Sequence, residues 1–332
     1  MHPLLESVAR PRLGVFTSRE ALAAGYVVDD IKAALRGRCW VRLRKGVYTS
    51  RDRLAAADDR ERHLLDCVAV LLSLDAGPVL SHASAARLHD LVVPAGEPRD
   101  VRVTDVGQWR RGRGYRVARA ALPPGDVVPW LAFGATSVAR TLVDCAREWP
   151  QLAAVIAIDA ALQHELVRRS ELTAAVHAAR HRVGASDAAR AVGLSDGRAE
   201  SPLETEGRLA LLAAGLPVPE LQVELHNSRG FVARVDAWYD DAAVALEFDG
   251  KVKYADPTGG RSPADVLWQE KRREDRVREL DVRVVRVVKA DMGGSWPGVA
   301  ARVRRLLAAA PTGPRRFTVV RRPEPGSDQH GA

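Results

Sequence analysis

Two runs late in the chain, FVARVDAWY (231–239) and AVALEFDGK (243–251), flank Asp240 and Asp241 and read as one antiparallel hairpin. Side chains alternate between the faces of a strand. Val244, Leu246 and Phe248 therefore share one face, and Glu247, Asp249 and Lys251 share the other. A loop centred between Asp241 and Ala242 sets Asp236 opposite Glu247, with Cβ atoms about 5 Å apart. Asp236, Glu247 and Asp249 then converge on one patch. Carboxylates this close repel, and a divalent cation or the basic neighbours Arg234, Lys251 and Lys253 would offset that repulsion. An all-oxygen set of this kind suits Mg2+ (or Mn2+).

Upstream, Ser201-Pro202-Leu203-Glu204 reads as a complete capping box with proline at the first helical position. It opens a helix that runs to Gly215, and a strand follows near Leu221 to Leu225. Two roles are open to Glu204, cap and cation ligand. Residues 263 to 280 read as a helix carrying Glu270, Lys271, Arg272, Arg273, Glu274 and Asp275, where pairs at three- and four-residue spacing satisfy most of the charge.

The order of these elements resembles a known group. A glutamate on a helix, then Asp236-Ala237-Trp238, then Leu246-Glu247-Phe248-Asp249-Gly250-Lys251, then EKRREDRVRELDVRVVRV is similar to restriction-endonuclease-like, PD-(D/E)XK proteins. Among these the likeness is to very-short-patch-repair endonucleases, and most of all to the bacterial domain-of-unknown-function family 559, over roughly Ser201 to Leu307. The resemblance implies a mixed sheet flanked by helices, with Glu204, Asp236 and Glu247 at the acidic positions. Where the wider fold has an acid, one residue and a lysine, Asp249 occupies the lysine slot. Lys251, or Lys271 or Arg273 on the following helix, would supply the positive charge; otherwise Asp249 is a further metal ligand.

At the other end, Thr17 or Ser18 caps a helix over Arg19 to Ala24, Gly25 ends it, and Val28 to Arg36 forms a second amphipathic helix. The run CWVRLRKGVYTS alternates Trp40, Arg42 and Arg44 against Val41, Leu43 and Lys45 before a break at Gly46, which reads as the wing of a winged helix. Lys32, Arg36, Arg38, Arg42, Arg44 and Lys45 are placed to meet DNA phosphates. Asp29 and Asp30 stand at the end of the second helix that normally enters the groove, and they leave protein contacts open as the use of this module.

Between 55 and 195 the pattern is largely helical, with an extended patch in DVRVTDVGQWRRGRGYRVAR. His82 and His89 lie seven residues apart with no third ligand near, which points to packing or capping. Trp109 to Arg116, WRRGRGYR, would either track a phosphate backbone or form a solvated hairpin tip. Residues 177 to 200 read as a helix fading into a linker, with a boundary near 195. The segments VFTSREALAAGY, WVRLRKGVYTS, SHASAARLHDL and TSVARTLVDCARE also resemble AbiEi-like antitoxins of abortive-infection toxin-antitoxin systems, which implies promoter binding through the winged helix and a toxin or defence-system protein as partner.

Composition narrows the field without choosing within it. Lys and Arg number 50 against 42 Asp and Glu, a net charge of +8 that favours a polyanion such as DNA. Three scattered cysteines give neither a disulfide framework nor a zinc spacing. The absence of an apolar run of about 18 residues argues against a membrane span, and the chain is expected in the cytoplasm.

The expected architecture is multidomain α/β: a winged helix-turn-helix over 1–52, a mostly helical AbiEi-like region over 53–195, a restriction-endonuclease-like domain over 196–311, and a disordered tail over 312–332. The expected function is DNA binding with Mg-dependent hydrolysis of DNA phosphodiester bonds. The alternative is an antitoxin-type autoregulator whose nuclease fold is inactive. Oligomeric state is left open.

Overall fold

A computed structural model describes residues 1–74, 77–250, 276–277, 279–309 and 315–325. The chain is mixed α/β and divides into two compact units. Met1–Trp149 with Glu171–Ala188 forms the first, and Pro150–Ser170 with Ala189–Ala332 the second.

The first unit opens with α1 (Pro3–Ala9), β1 (Phe16–Thr17), α2 (Ser18–Ala23), α3 (Val28–Arg36), β2 (Trp40–Arg44) and β3 (Val47–Ser50), the strands forming a sheet in the order β1-β3-β2. The local signals act as expected. Thr17 Oγ1 accepts from Glu20 N at 3.2 Å and Glu20 Oε2 accepts from Thr17 N at 2.8 Å, a capping box on α2. Gly25 leaves the helix at φ +97°, where a Cβ would strain the turn. Leu5, Phe16, Ile31, Trp40 and Tyr48 form the core, with the Phe16 and Trp40 rings edge-on at 4.7 Å. Strict alternation along β2 fails: a bulge between Arg42 and Arg44 pairs them with Tyr48 and Val47.

No boundary falls at residue 52. Val15 and Val47 share a buried cluster with Leu65, Val68 and Ala69 of α5 (Asp59–Ser73), which follows α4 (Arg51–Ala56). The mostly helical expectation beyond it is also corrected. Around α6 (His82–Leu88) and α7 (Val138–Ala146) runs a six-stranded sheet made of β4 (Val79–Leu80), β5 (Val101–Asp105), β6 (Arg110–Gly112), β7 (Tyr115–Arg119), β8 (Val127–Trp130) and β9 (Phe133–Thr136), in the order β6-β7-β5-β4-β9-β8. Strands of two to five residues are too short to display a period against flanking Gly and Pro. His82 and His89 do not meet: His82 Nδ1 lies 2.8 Å from Ser81 Oγ, and His89 Nε2 lies 2.7 Å from the Thr136 carbonyl.

The second unit takes α8 (Gln151–Gln163) from the middle of the sequence. Next in sequence come α9 (Arg169–Ala178), mostly of the first unit, and α10 (Ala185–Leu194), which straddles the division after Ala188, so the segment expected to be a linker contains a helix. A boundary at 195 would separate α8 from α11 (Pro202–Ala213), yet Asp159 of α8 accepts from Thr205 Oγ1 and Arg208 Nη2 of α11, each at 2.8 Å. Beyond α11 lie β10 (Glu220–Asn227), β11 (Gly230–Tyr239), β12 (Val244–Asp249), β13 (Arg283–Val288), the helix Trp296–Ala308 and β14 (Thr318–Val320). Their sheet runs β13-β12-β11-β10-β14, with β12 and β13 parallel and the other pairs antiparallel. Leu203 and Leu211 of α11, with Ala300 and Val303 of the later helix, cover the face that carries Val244, Leu246 and Phe248.

The tail is not disordered throughout. Residues 318–320 add an edge strand to β10, and Phe317 packs edge-on against the fully buried Trp238 at 5.7 Å between ring centroids. Ion pairs of Arg321 with Glu220 and of Glu324 with Arg169 hold the described residues that follow, as far as 325.

Candidate metal centre and nucleic-acid interface

The hairpin register places a row of polar residues across the middle of the sheet. Tyr239 pairs with Val244, Trp238 with Ala245 and Ala237 with Leu246, so the loop is centred between Asp241 and Ala242 as expected, and Asp236 and Glu247 come next in line. There the ladder stops. Asp236 Oδ2 instead accepts from Phe248 N at 2.8 Å, so the carboxylate stands in for the strand partner that backbone N–H would otherwise lack. In the parallel pair Glu247 is level with Arg286, whose Nη2 lies 3.5 Å from Glu247 Oε2.

On the other side of β11, Leu221 pairs with Ala237 and Val223 with Val235, which sets Gln222 level with Asp236. Gln222 adopts φ +51° and leaves the ladder. Gln222, Asp236, Glu247 and Arg286 thus line up across four adjacent strands. Gln222 is buried; its Nε2 donates to Glu204 Oε2 at 2.9 Å, while its Oε1 has no hydrogen-bond partner among the described residues.

Glu204 joins the row from α11. Ser201 Oγ accepts from Glu204 N at 3.2 Å, the first half of the expected capping box. The second half is rearranged: the Glu204 carboxylate accepts from Ser201 Oγ and from Glu200 N, each at 2.8 Å, not from Ser201 N. The carboxylate is thereby turned toward the sheet. Burial, with the Asp236 charge close by, holds its carboxyl above the ordinary range. Gly207 sets the approach of the helix, because a Cβ there would lie 2.0 Å from Phe248 Cε1.

Asp249 ends β12 level with Val288 and is partly exposed. Arg234 bridges to Glu200 at 2.9 Å. Lys251, Lys253, Lys271 and Arg273 lie outside the described residues, as does most of the charged helix expected over 263–280. Among the described residues no group of three or more His, Cys, Asp or Glu is disposed to hold a metal ion. Glu204 hydrogen-bonds Gln222 and lies close enough to Asp236 to feel its charge, so two carboxylates and one amide gather their hard oxygen donors here, and a buried carbonyl oxygen with no donor is what a cation or its water would satisfy. Nothing in the sequence singles out Gln222, which alternates with Leu221 and Val223 as any outward-facing strand residue would.

In the first unit Lys32 pairs with Asp29 at 3.0 Å, and Asp30 Oδ2 caps Val27 N at 2.9 Å, so both acids at the start of α3 have local roles. Arg36, Arg38, Arg42 and Lys45 are exposed. Arg44 is turned toward the β6–β7 hairpin, its Nη1 donating to the Arg113 carbonyl at 3.1 Å. Among the described residues no helix is long and apolar enough to cross a membrane.

No family model matches the chain. It is similar to the uncharacterized proteins MT2308 and Rv2248 of two Mycobacterium tuberculosis strains, each 36% identical over 176 residues and 53% of this chain. The match spans 62% of the length of those relatives. Among solved structures, the crystal structure of the RV2827C protein from Mycobacterium tuberculosis aligns over 57% of this chain and 74% of its own, with TM-score 0.42 and 17% identity.

Proposed function

We propose that this chain is a cytoplasmic DNA-binding protein whose second unit hydrolyses DNA phosphodiester bonds with Mg2+ (or Mn2+) held by Glu204, Gln222, Asp236 and Glu247. The observation that carries the reading is the buried Gln222, bonded to Glu204 beside Asp236, whose Oε1 finds no hydrogen-bond donor among the described residues. The cation, when bound, would lower the pKa of a coordinated water and offset the charge gathering on the scissile phosphate. Glu204 is aimed by Ser201, Glu200 N and Gln222, and Asp236 by Phe248 N, so both acids are set before any ligand arrives. Arg286 beside Glu247 supplies fixed positive charge near the phosphate. Asp249, in the slot a lysine holds in the restriction-endonuclease-like proteins, adds an outer ligand or orients water, and Lys251 supports the same charge. The basic winged helix, with Lys32, Arg36, Arg38, Arg42, Arg44 and Lys45, holds the DNA.

The test pairs metal binding with cleavage. Wild type should gain melting temperature with Mg2+ or Mn2+ and cut at least one of a panel of single-stranded, mismatched and branched DNAs. Asp236→Asn and Glu247→Gln should lose both properties. A panel left intact by wild type, with no metal-induced shift, would defeat the reading.

A second reading has its own observation. Phe248 N on Asp236 and Arg286 beside Glu247 satisfy part of the acidic row from within the protein. That arrangement suits an antitoxin-type transcriptional autoregulator with an inactive nuclease fold and a toxin or defence-system protein as partner. Promoter binding unchanged in an Asp236→Ala, Glu247→Ala double variant, with metal-independent stability, would favour it.

A further inference from the structure

The β6–β7 hairpin is anchored to the β2–β3 hairpin. Arg44 of β2 donates to the carbonyls of Arg113 and Gly114, at 3.1 and 3.5 Å. Its guanidinium also stacks on the buried Tyr115 ring at 5.1 Å, and Arg110 reaches the same ring at 6.0 Å. The ring lies across Gly112, where a Cβ would sit 2.1 Å from Tyr115 Cε1, and Gly114 turns the chain at φ +72°. Both glycines are therefore required by the geometry. They admit the turn, and the Arg44 contacts tie it to the neighbouring hairpin.

The residues this arrangement leaves outward are Arg110, Arg111 and Arg113, all exposed, and Trp109, whose indole is 73% exposed. Arg42 and Lys45 continue the positive charge onto the neighbouring hairpin. A flat aromatic side chain in water among arginines is the composition of a stacking platform, where a base covers the ring and the cations hold the adjoining phosphates. Paired bases inside a duplex offer no free face to such a ring.

We propose that the β6–β7 hairpin is a second nucleic-acid contact, joined to the wing, where Trp109 stacks on an unpaired DNA base and Arg110, Arg111 and Arg113 hold the flanking phosphates. The ligand is then DNA with a single-stranded stretch beside a duplex, the wing taking the duplex and the hairpin the unpaired strand. This inference rests on the DNA-binding reading of the first unit.

Fluorescence anisotropy on the full chain, using one duplex blunt and with an overhang of about eight nucleotides, tests it. Trp109→Ala should weaken binding of the overhang DNA roughly tenfold and leave the blunt duplex unchanged, while Trp109→Phe should retain most of the affinity. An Arg110→Ala, Arg111→Ala pair should lower the slope of log K against log salt on the overhang DNA by about 0.7 for each phosphate that is no longer held. Arg42→Ala with Lys45→Ala should weaken both ligands. If wild type and the wing variants behave so, but Trp109→Ala binds overhang DNA as wild type does, the hairpin contact is refuted and the DNA-binding reading stands. If wild type binds neither ligand at low salt, both are refuted.

Discussion

Asp159 and Arg208 form a buried ion pair 2.8 Å apart, with side chains 2% and 4% exposed, although 49 residues separate them in sequence. Thr205 Oγ1 and Asp196 N also donate to the Asp159 carboxylate. Burial nevertheless pushes its carboxyl up to about 6, against the pull of Arg208. Replacing Asp159 by Asn leaves a buried guanidinium without its counter-charge. We expect the second unit to lose about 3–5 kcal/mol, read from urea denaturation at pH 7. A loss below about 1 kcal/mol would show that water reaches Arg208.

His63 gives the first unit a pH dependence. Its Nε2 lies 3.0 Å from Ser84 Oγ, and burial, helped by Arg87 and Arg99, pushes the imidazole down to about 4. An unfolded histidine titrates near 6.5, so between the two values the unfolded chain binds the extra proton. The contribution is complete above about pH 6.5 and is lost as pH falls toward 4. It amounts to about 2.5 kcal/mol between pH 7 and 4.5. The unfolding midpoint of His63→Gln should fall less on acidification than that of wild type.

Phe317 should behave as a core residue. Replacing it by Ala removes the ring that packs on Trp238 and should cost about 3 kcal/mol in the second unit. Chemical denaturation with tryptophan fluorescence reports both the stability and the altered surroundings of Trp238. A wild-type midpoint would return 315–325 to the status of a loose tail.

Gln222 separates stability from metal response. Gln222→Met removes an unsatisfied buried oxygen along with one hydrogen bond to Glu204, two effects of similar size and opposite sign. Melting in EDTA should move by less than about 1 kcal/mol, whereas the Mn2+-induced shift should shrink markedly. A shift equal to that of wild type would remove Gln222 from the cation site.

What the sequence made legible follows the range of each interaction. Strand parity and a four-residue turn are local, and they correctly placed Asp236 next in line with Glu247. The Thr17 cap, one of the two offered, and the break at Gly25 were equally readable. Gln222 was not, because its significance depends on Glu204, 18 residues earlier on α11, and on a backbone turn that no pattern announces. The short strands β8 and β9 carry too few residues to show a period. Asp159 looked like any polar position on an apolar helix until α11 brought Arg208 to it. Within the tail, Thr318–Val320 is too short to show a period, and it is the edge of β10 that makes it a strand.

The path of the chain, 1–149 and 171–188 in one unit and 150–170 and 189–332 in the other, crosses between them three times. A single recombination breakpoint therefore cannot carry either unit without a piece of the other. Exchanging one unit for a counterpart while keeping the other whole takes three joins, one at each crossing.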